Sequence, residues 1–496
     1  MAHSKLFPHP IYTQTVLKAN FDDARRWFLE PLLAIHQAHA VMLTECEILS
    51  ASDAAILLEA IQRMEFGALA NAVFDGSCED FFFHVESLLA RACGANVAGK
   101  LHTARSRNDV DITLYRMVLR TEVLAIAGHL AALRKLLLSL AQRHACTLMP
   151  AYTHTQPAQP TTLGHYLAGV LECLERDHRR LMAAYATVNR SPLGACAITT
   201  TGFPINRHRS AELLGFDGLQ ENSIGAIAAT DYVAETASAI AVQAINLGKF
   251  TQDLLLWCTQ EFGFLRVGDA WAQISSIMPQ KRNPVAFEHA RMLLSRAFAQ
   301  SQAVLTCGHN TPFGDIVDSE DDLLPLVFRV TGDATKALQL LRGALHDASF
   351  DVARMAALSG ARFITVTELA DVLVREGGLS FAKSHHLVSA AVVMCDGDDT
   401  PDAIAAALAQ AAATEGIDLT LDEARILDAL DARRFVAVRT VAGGPAPETL
   451  MAALVRLHEA LQGDERRLME RKETLTEAET RLASHCGELR SGALPG

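Results

Sequence analysis

From Ile112 to Leu140 the chain reads ITLYRMVLRTEVLAIAGHLAALRKLLLSL, with apolar side chains at Ile112, Tyr115, Leu119, Val123, Ile126, Leu130, Leu133, Leu137 and Leu140. The steps alternate between three and four residues, the spacing of one stripe along an α-helix. Sustained over the whole segment, they form a heptad-like seam. At ~1.5 Å per residue such a helix is about 45 Å long. A second seam runs through Val233, Ala237, Ile240, Ala244, Leu247, Thr251, Leu254 and Cys258, and its small residues admit close neighbours. A third helix is expected after Pro160, carrying Leu163, Leu167, Val170, Leu174 and Leu181. A fourth follows Pro284, with Ala290, Leu293, Ala297 and Val304 on one face.

These seams predict an all-α protein built on a long central helical bundle over residues 109–357. More faces are apolar than one bundle covers, which points to homo-oligomerisation through them. Packing against the chain's own terminal segments would satisfy the same faces. Residues 1–108 read as a mixed, mostly helical domain, with helical patterns over 22–45 and 51–65. After Leu358-Ser359-Gly360 the pattern shortens. Ile364 to Arg375 and Ala382 to Val393 read as short helices of a small C-terminal domain, 358–496. Val441-Ala442-Gly443-Gly444-Pro445 marks a turn, and a charged helical extension follows to about Ala483.

The chain's 496 residues suffice for a large core and two or three domains. Half are apolar but only 6% aromatic, which favours helices packed through small side chains. A net charge of −13 argues against nucleic acid or an anionic membrane surface as partner. The cysteines, among them Cys46, Cys173, Cys258 and Cys395, are scattered singly. That pattern reads as reduced thiols rather than a disulfide framework or a zinc site. The start, Met1-Ala2-His3-Ser4-Lys5, lacks the apolar stretch of a secretion signal, and no apolar run reaches ~18 residues. A cytoplasmic location is expected.

Chemistry concentrates in three segments. Ser275-Ser276-Ile277-Met278-Pro279-Gln280-Lys281-Arg282-Asn283-Pro284 places a hydroxyl pair, a lysine and an asparagine in one loop stiffened by proline. Such a loop can present Lys281 and Asn283 to an anion while Ser275 faces the carbon beside it. This suits proton abstraction next to a carboxylate, whose dianionic intermediate needs cationic and hydrogen-bonding support. Capping of the helix from Val285 would need one Ser or Asn, not the whole set.

Leu101-His102-Thr103-Ala104-Arg105-Ser106-Arg107-Asn108-Asp109 directly precedes the first long helix. Asn108 or Asp109 is expected to cap it, and the free N–H groups there favour an anion. Ser106, Arg107 and Asn108 add donors suited to a carboxylate. Tyr152-Thr153-His154-Thr155-Gln156-Pro157-Ala158-Gln159-Pro160 reads as a polar loop held by two prolines ahead of a helix. Histidine is a side chain suited to proton transfer; Thr153 and Gln156 accompany His154, and Glu288 beyond the serine loop is a candidate orienting carboxylate.

The serine loop resembles the signature loop of the fumarase/aspartase superfamily. With the other two segments, and with Ser191-Pro192-Leu193-Gly194, Phe203-Pro204-Ile205-Asn206-Arg207, Leu214-Gly215-Phe216-Asp217-Gly218, Glu221-Asn222-Ser223, Glu368-Leu369-Ala370-Asp371 and Ser384-His385-His386, the chain is similar to the argininosuccinate lyase family over roughly 75–455. The resemblance implies an all-α, three-domain subunit in a homotetramer, with each active site drawn from three subunits and no metal or organic cofactor. It implies Ser275 as the base, with Lys281 and Asn283 stabilising the aci-carboxylate. Ser106, Asn108 and Thr153 would hold the succinyl carboxylates, helped by Arg107, Gln156, Ser276 and Met278. His154, oriented by Glu288, would stand near the leaving group or in the proton relay. Breaking the C–N bond then releases fumarate and an amine.

The chain departs from the family in ways that bear on its substrate. The glycine usual before the serine pair is Ile274, which does not reach positive φ cheaply and so bears on the loop's mobility. Where the family carries Tyr, Gln and Lys to grip the amino-acid end of arginine, this chain reads Thr311-Pro312-Phe313-Gly314-Asp315-Ile316-Val317-Asp318-Ser319-Glu320-Asp321-Asp322. An α-carboxylate binds poorly beside such an acidic segment, and an amine or diamine suits it better. The expectation is a carbon–nitrogen lyase acting reversibly on an N-substituted aspartate, such as ethylenediamine disuccinate. The alternative is argininosuccinate lyase itself. A non-catalytic, crystallin-like homologue is disfavoured by the complete set Ser275, Lys281, Asn283, His154 and Glu288.

Overall fold

The computed structural model describes residues 8–319 and 322–492. The start at Met1–Lys5, and Glu320 and Asp321 of the acidic segment, lie outside the described residues. Among the described residues, strands occur only in two-stranded pairs.

The helix expected over 22–45 is two, Lys18–Trp27 and α1, Leu29–Glu45, which meet at Phe28 where φ is −109°. Ala51–Gln62 follows, capped by the Ser50 hydroxyl, and then α2, Phe81–Cys93. The first seam lies in α3, Arg107–Arg143, and every one of its quoted positions is buried. It extends beyond the apolar stripe because Ser106 caps its start and polar residues complete its end. Four more long helices complete the bundle: α4, Leu163–Val188; α5, Asp231–Trp257; α6, Val285–Gly308; and α7, Leu324–His346. The last carries no seam in the sequence reading. Its buried face, Val327, Val330, Ala334, Ala337, Leu338 and Leu341, mixes alanines with branched side chains.

α4 does not follow a loop. Leu148–Thr153 (β1) and Gln156–Thr162 (β2) pair as an antiparallel hairpin, and α4 begins one residue later. Pro157 and Pro160 sit in β2, where an edge strand tolerates the missing N–H. At the start of α4 a Cβ on Gly164 would stand 2.5 Å from the Ala141 carbonyl oxygen, so only glycine lets α4 dock against the end of α3.

One continuous core joins the N-terminal helices, the bundle and α8, Pro447–Ser491. Leu369 to Leu430 form a separate small core. The C-terminal helix therefore belongs to the main body, not to the small domain with which the sequence groups it. Leu450, Leu454, Leu457 and Leu461 line its buried side, and Asp464 pairs with the buried Arg134 of α3 at 2.6 Å. α3 is long and apolar enough to cross a membrane by length and composition alone, but 61% of its most apolar window is buried inside the chain. The terminal segments do not cover the whole bundle: Ile245 and Leu256 on α5, and Met292 and Phe298 on α6, remain exposed.

Candidate active site

Ser106, rather than Asn108 or Asp109, is the N-cap of α3. Its hydroxyl oxygen accepts from the Asn108 N–H at 3.4 Å, and its own N–H donates to the Asp109 carboxylate at 2.8 Å. The same carboxylate accepts from the N–H groups of Gly194 and Cys196 at 2.8 and 2.9 Å. Burial pushes the Asp109 carboxyl up, against the pull of these three donors. Asp109 thus ties the cap to the Ser191–Gly194 loop. Asn108 donates to the Ala197 carbonyl at 3.1 Å. Ser106 and Asn108 stay half-exposed at the positive end of a 37-residue helix.

Arg107 is otherwise engaged. It pairs with Asp80 at 3.0 Å and Glu79 at 3.5 Å, and lies over the Phe83 ring. Val317 of the acidic segment lines a cavity of about 220 Å³ together with Arg107, Asp80 and Asp111. The segment expected to set specificity therefore sits at the Ser106 end of the bundle. Phe313, in the place of the family's tyrosine, is exposed there.

The serine loop lies at the other end. Gln273–Ile274 and Arg282–Asn283 pair as β4 and β5, so the loop is the turn of a small hairpin; β3, Leu265–Arg266, and β6, Ser349–Phe350, pair beside it. Ile274 is extended and exposed, and its position asks for no positive φ. The Ser275 hydroxyl oxygen accepts from the N–H groups of Ile277 and Met278 at 3.3 and 3.0 Å. Two such donors stabilise negative charge on that oxygen more than they stabilise the neutral hydroxyl. Lys281, Asn283 and Met278 line a crevice of about 780 Å³ with Gln260 and Arg266. Arg282 is held by Asp269. Ser276 and Glu288 are exposed.

His154 and Thr155 form the tip of the β1–β2 hairpin, with φ of 49° and 63°. Consecutive left-handed residues other than glycine carry strain of the kind concentrated at functional sites. Thr153 and Gln156 pair across the tip. The base of the hairpin is fixed to the end of α3, where the Gly164 N–H donates to the His144 carbonyl. Phe350 packs on His144 at 5.2 Å, and Phe262 on Tyr152 at 5.4 Å, so the serine loop and the hairpin share one end of the bundle.

Ser106 is therefore separated from the base of the hairpin that carries His154 by the length of α3, 37 residues or about 55 Å. A six-residue strand reaches only ~20 Å back from its base. The subunit brings together Ser275, Met278, Lys281 and Asn283, and separately Ser106 and Asn108, but not the two sets. His154 and Glu288 make no hydrogen bond with each other among the described residues.

Sequence reasoning overlooked a buried group beneath Ser106. The Arg105 guanidinium donates to His36 Nδ1 at 2.9 Å and to Glu86 at 3.4 Å. Burial lowers Arg105 to about 10. Burial, then the Arg105 charge, hold His36 well below 6.5 and His39 at about 3. Burial would raise Glu86, but His102 and Arg105 hold it below the usual range. The available signal was two histidines three apart inside an apolar helix.

Residues 48–299 match a family model described as lyase, and residues 363–437 one described as argininosuccinate lyase C-terminal. The chain is 42% identical over 451 residues to argininosuccinate lyase 2 of Agrobacterium fabrum, covering 90% of each chain. It is 36% identical to argininosuccinate lyase 1 of Shouchella clausii, covering 93% of each. Among solved structures it resembles an EDDS lyase variant with bound fumarate, with a TM-score of 0.87 and 30% identity over 98% of this chain and 96% of that one. A class II fumarase of Schistosoma mansoni, at 15% identity and a TM-score of 0.67, shares the fold.

Fold, loops and relatives together define a carbon–nitrogen lyase of the fumarase/aspartase superfamily that releases fumarate. The all-α bundle with its two-stranded hairpins is the superfamily's architecture. Within it, this chain belongs to the argininosuccinate lyase family.

Proposed function

We propose that this lyase acts reversibly on an N-substituted aspartate whose amine part lacks the amino-acid end of arginine, an aminocarboxylate of the ethylenediamine-disuccinate kind. The observation that carries this reading is the acidic 311–322 segment at the Ser106 end of the bundle, with Phe313 in place of a phenol and with Asp315, Asp318 and Asp322. An amine gains from those charges, whereas an α-carboxylate is repelled.

In this reading Ser275 takes the proton from the carbon next to a carboxylate, its oxygen supported by the two N–H donors. Lys281 and Asn283 stabilise the aci-carboxylate. Ser106, Asn108, Thr153 and Gln156 hold the succinyl carboxylates, with Ser276 and Met278 closing over them. His154 serves the leaving amine, with Glu288 from another copy as its orienting carboxylate. Because α3 separates Ser106 from His154 and Ser275, the site is assembled between copies, in a homotetramer joined through the exposed apolar faces of α5 and α6. The chain divides into 1–108, 109–357 and 358–496, and within the last segment α8 returns to the central body while Leu369 to Leu430 form the small domain. The unpaired thiols fit the reducing cytoplasm.

A second reading, argininosuccinate cleavage to arginine and fumarate, is favoured by the 42% identity with an enzyme of that name. Incubation with fumarate and a panel of amines, following fumarate loss by ultraviolet absorbance, separates the two. Loss with ethylenediamine but not arginine supports the aminocarboxylate reading, and loss with arginine alone overturns it.

A further inference from the structure

We propose that His36, acting through Arg105, is a positioning residue that holds the Ser106 cap in place for the substrate carboxylate; this rests on the lyase reading above. His36 and His39 lie one turn apart on α1, and both are buried. The Arg105 side chain is also fully buried. A guanidinium has donors only, so the His36 Nδ1 that stands 2.9 Å from it must offer a lone pair, and the proton is on Nε2. His39 Nε2 lies 2.8 Å from the Thr103 carbonyl oxygen and therefore carries its proton there. Ala104 follows with φ of 60°, a left-handed conformation that a residue other than glycine keeps only when its surroundings enforce it. The Cys196 thiol donates to the Ala104 carbonyl at 3.2 Å.

Thr103, Ala104 and Arg105 are thus each held by a buried group, and the next residue is Ser106. If Arg105 loses its acceptor, the strained loop has a route to relax. The cap then moves with it, and so does the positive end of α3. An apolar residue at position 36 would fill α1 equally well but would offer Arg105 nothing. Glutamine would restore an acceptor without a titrating ring. Glu86, shared between Arg105 and His102, supports the guanidinium from α2 but stands farther away, at 3.4 Å. It balances the guanidinium's charge, whereas His36, at the shorter distance, fixes its direction.

The test compares full-length wild type, His36→Leu and His36→Gln by three measurements. These are fumarate binding by calorimetry, initial rates with fumarate and the best amine, and backbone amide exchange by mass spectrometry. The expected result for His36→Leu is faster exchange confined to residues 101–108, with fumarate Kd and KM raised about tenfold and kcat changed less. His36→Gln returns all of these toward wild type. Unchanged exchange and affinity in His36→Leu would overturn the proposal. So would faster exchange with unchanged affinity, or exchange raised throughout the chain in both variants. A wild type that neither binds fumarate nor consumes it sinks the lyase reading instead, and with it the carboxylate role. The exchange data then still decide whether His36 holds the loop.

Discussion

The Met278 N–H donates to the Ser275 hydroxyl oxygen at 3.0 Å, inside a loop whose two ends are pinned by the pairing of Ile274 with Arg282. The donor is backbone, so the loop conformation itself prepares Ser275 to carry negative charge. Ser275→Ala should lower kcat by about 10³-fold, within the range for loss of a general base, while fumarate Kd stays within a few-fold. Steady-state kinetics alongside calorimetry measure both. A variant with near wild-type kcat would remove Ser275 from its role.

The separation of Ser106 from Ser275 along α3 predicts complementation between copies. Ser106→Ala and Ser275→Ala should each be nearly inactive alone. Co-expressed in one cell, they should form mixed oligomers in which about a quarter of sites, by random pairing, carry both native residues. Activity of purified mixed oligomers reads this out. No recovery despite verified mixing would place the site within one subunit.

The acidic segment predicts a selective effect. Asp315→Asn with Asp318→Asn removes two charges from exposed positions at the Ser106 end. KM for a diamine should rise by about tenfold, while KM for arginine stays level or falls, because only the diamine loses attraction. The ratio of kcat/KM values for the two amines is the measurement. An unchanged ratio would shift specificity to other residues.

Acid should destabilise the fold through α1. His36 and His39 are kept neutral by burial and by Arg105, with Glu86 and His102 as the other charged or titratable groups facing them. Their folded pKa values lie below the 6.5 of the unfolded chain, so the unfolded chain binds protons first. Stability is full above 6.5 and falls as pH drops below it, by up to ~1.4 kcal/mol per pH unit for each histidine. Asp109, pushed up by burial, acts in the opposite sense. Urea midpoints between pH 7.5 and 5 test this on the ordinary scale of such experiments, with His36→Gln expected to show the shallower decline.

Arg134 and Asp464 tie α8 to α3 with side chains 1% and 10% exposed. Asp464→Leu strands a buried guanidinium and should cost about 3–5 kcal/mol. Arg134→Met combined with Asp464→Leu should recover most of that loss, because no buried charge is left unpaired; Arg467, the other arginine on Asp464, is exposed. Denaturant unfolding of the three proteins decides. A double variant as unstable as the single one would point to a packing role for the pair.

The amino-acid sequence alone determined the helical frame. The seam from Ile112 to Leu140 has one apolar face however the rest of the chain is arranged, and that face is buried throughout. The chemistry-bearing residues were legible for the same local reason, since Ser275, Lys281 and Asn283 fall within one short loop. Tertiary structure decided what depends on distant partners. Thr153 and Gln156 could be assigned to a hairpin only once β1 and β2 met, because two prolines in one strand read as a loop. Arg107 has the composition of a carboxylate binder, but Asp80 and Glu79, remote in sequence, already occupy it. α8 looks like an appendage until Asp464 finds Arg134. Periodicity and loop chemistry are properties of neighbours in the chain, whereas the pairing of a buried charge is a property of what folding brings beside it.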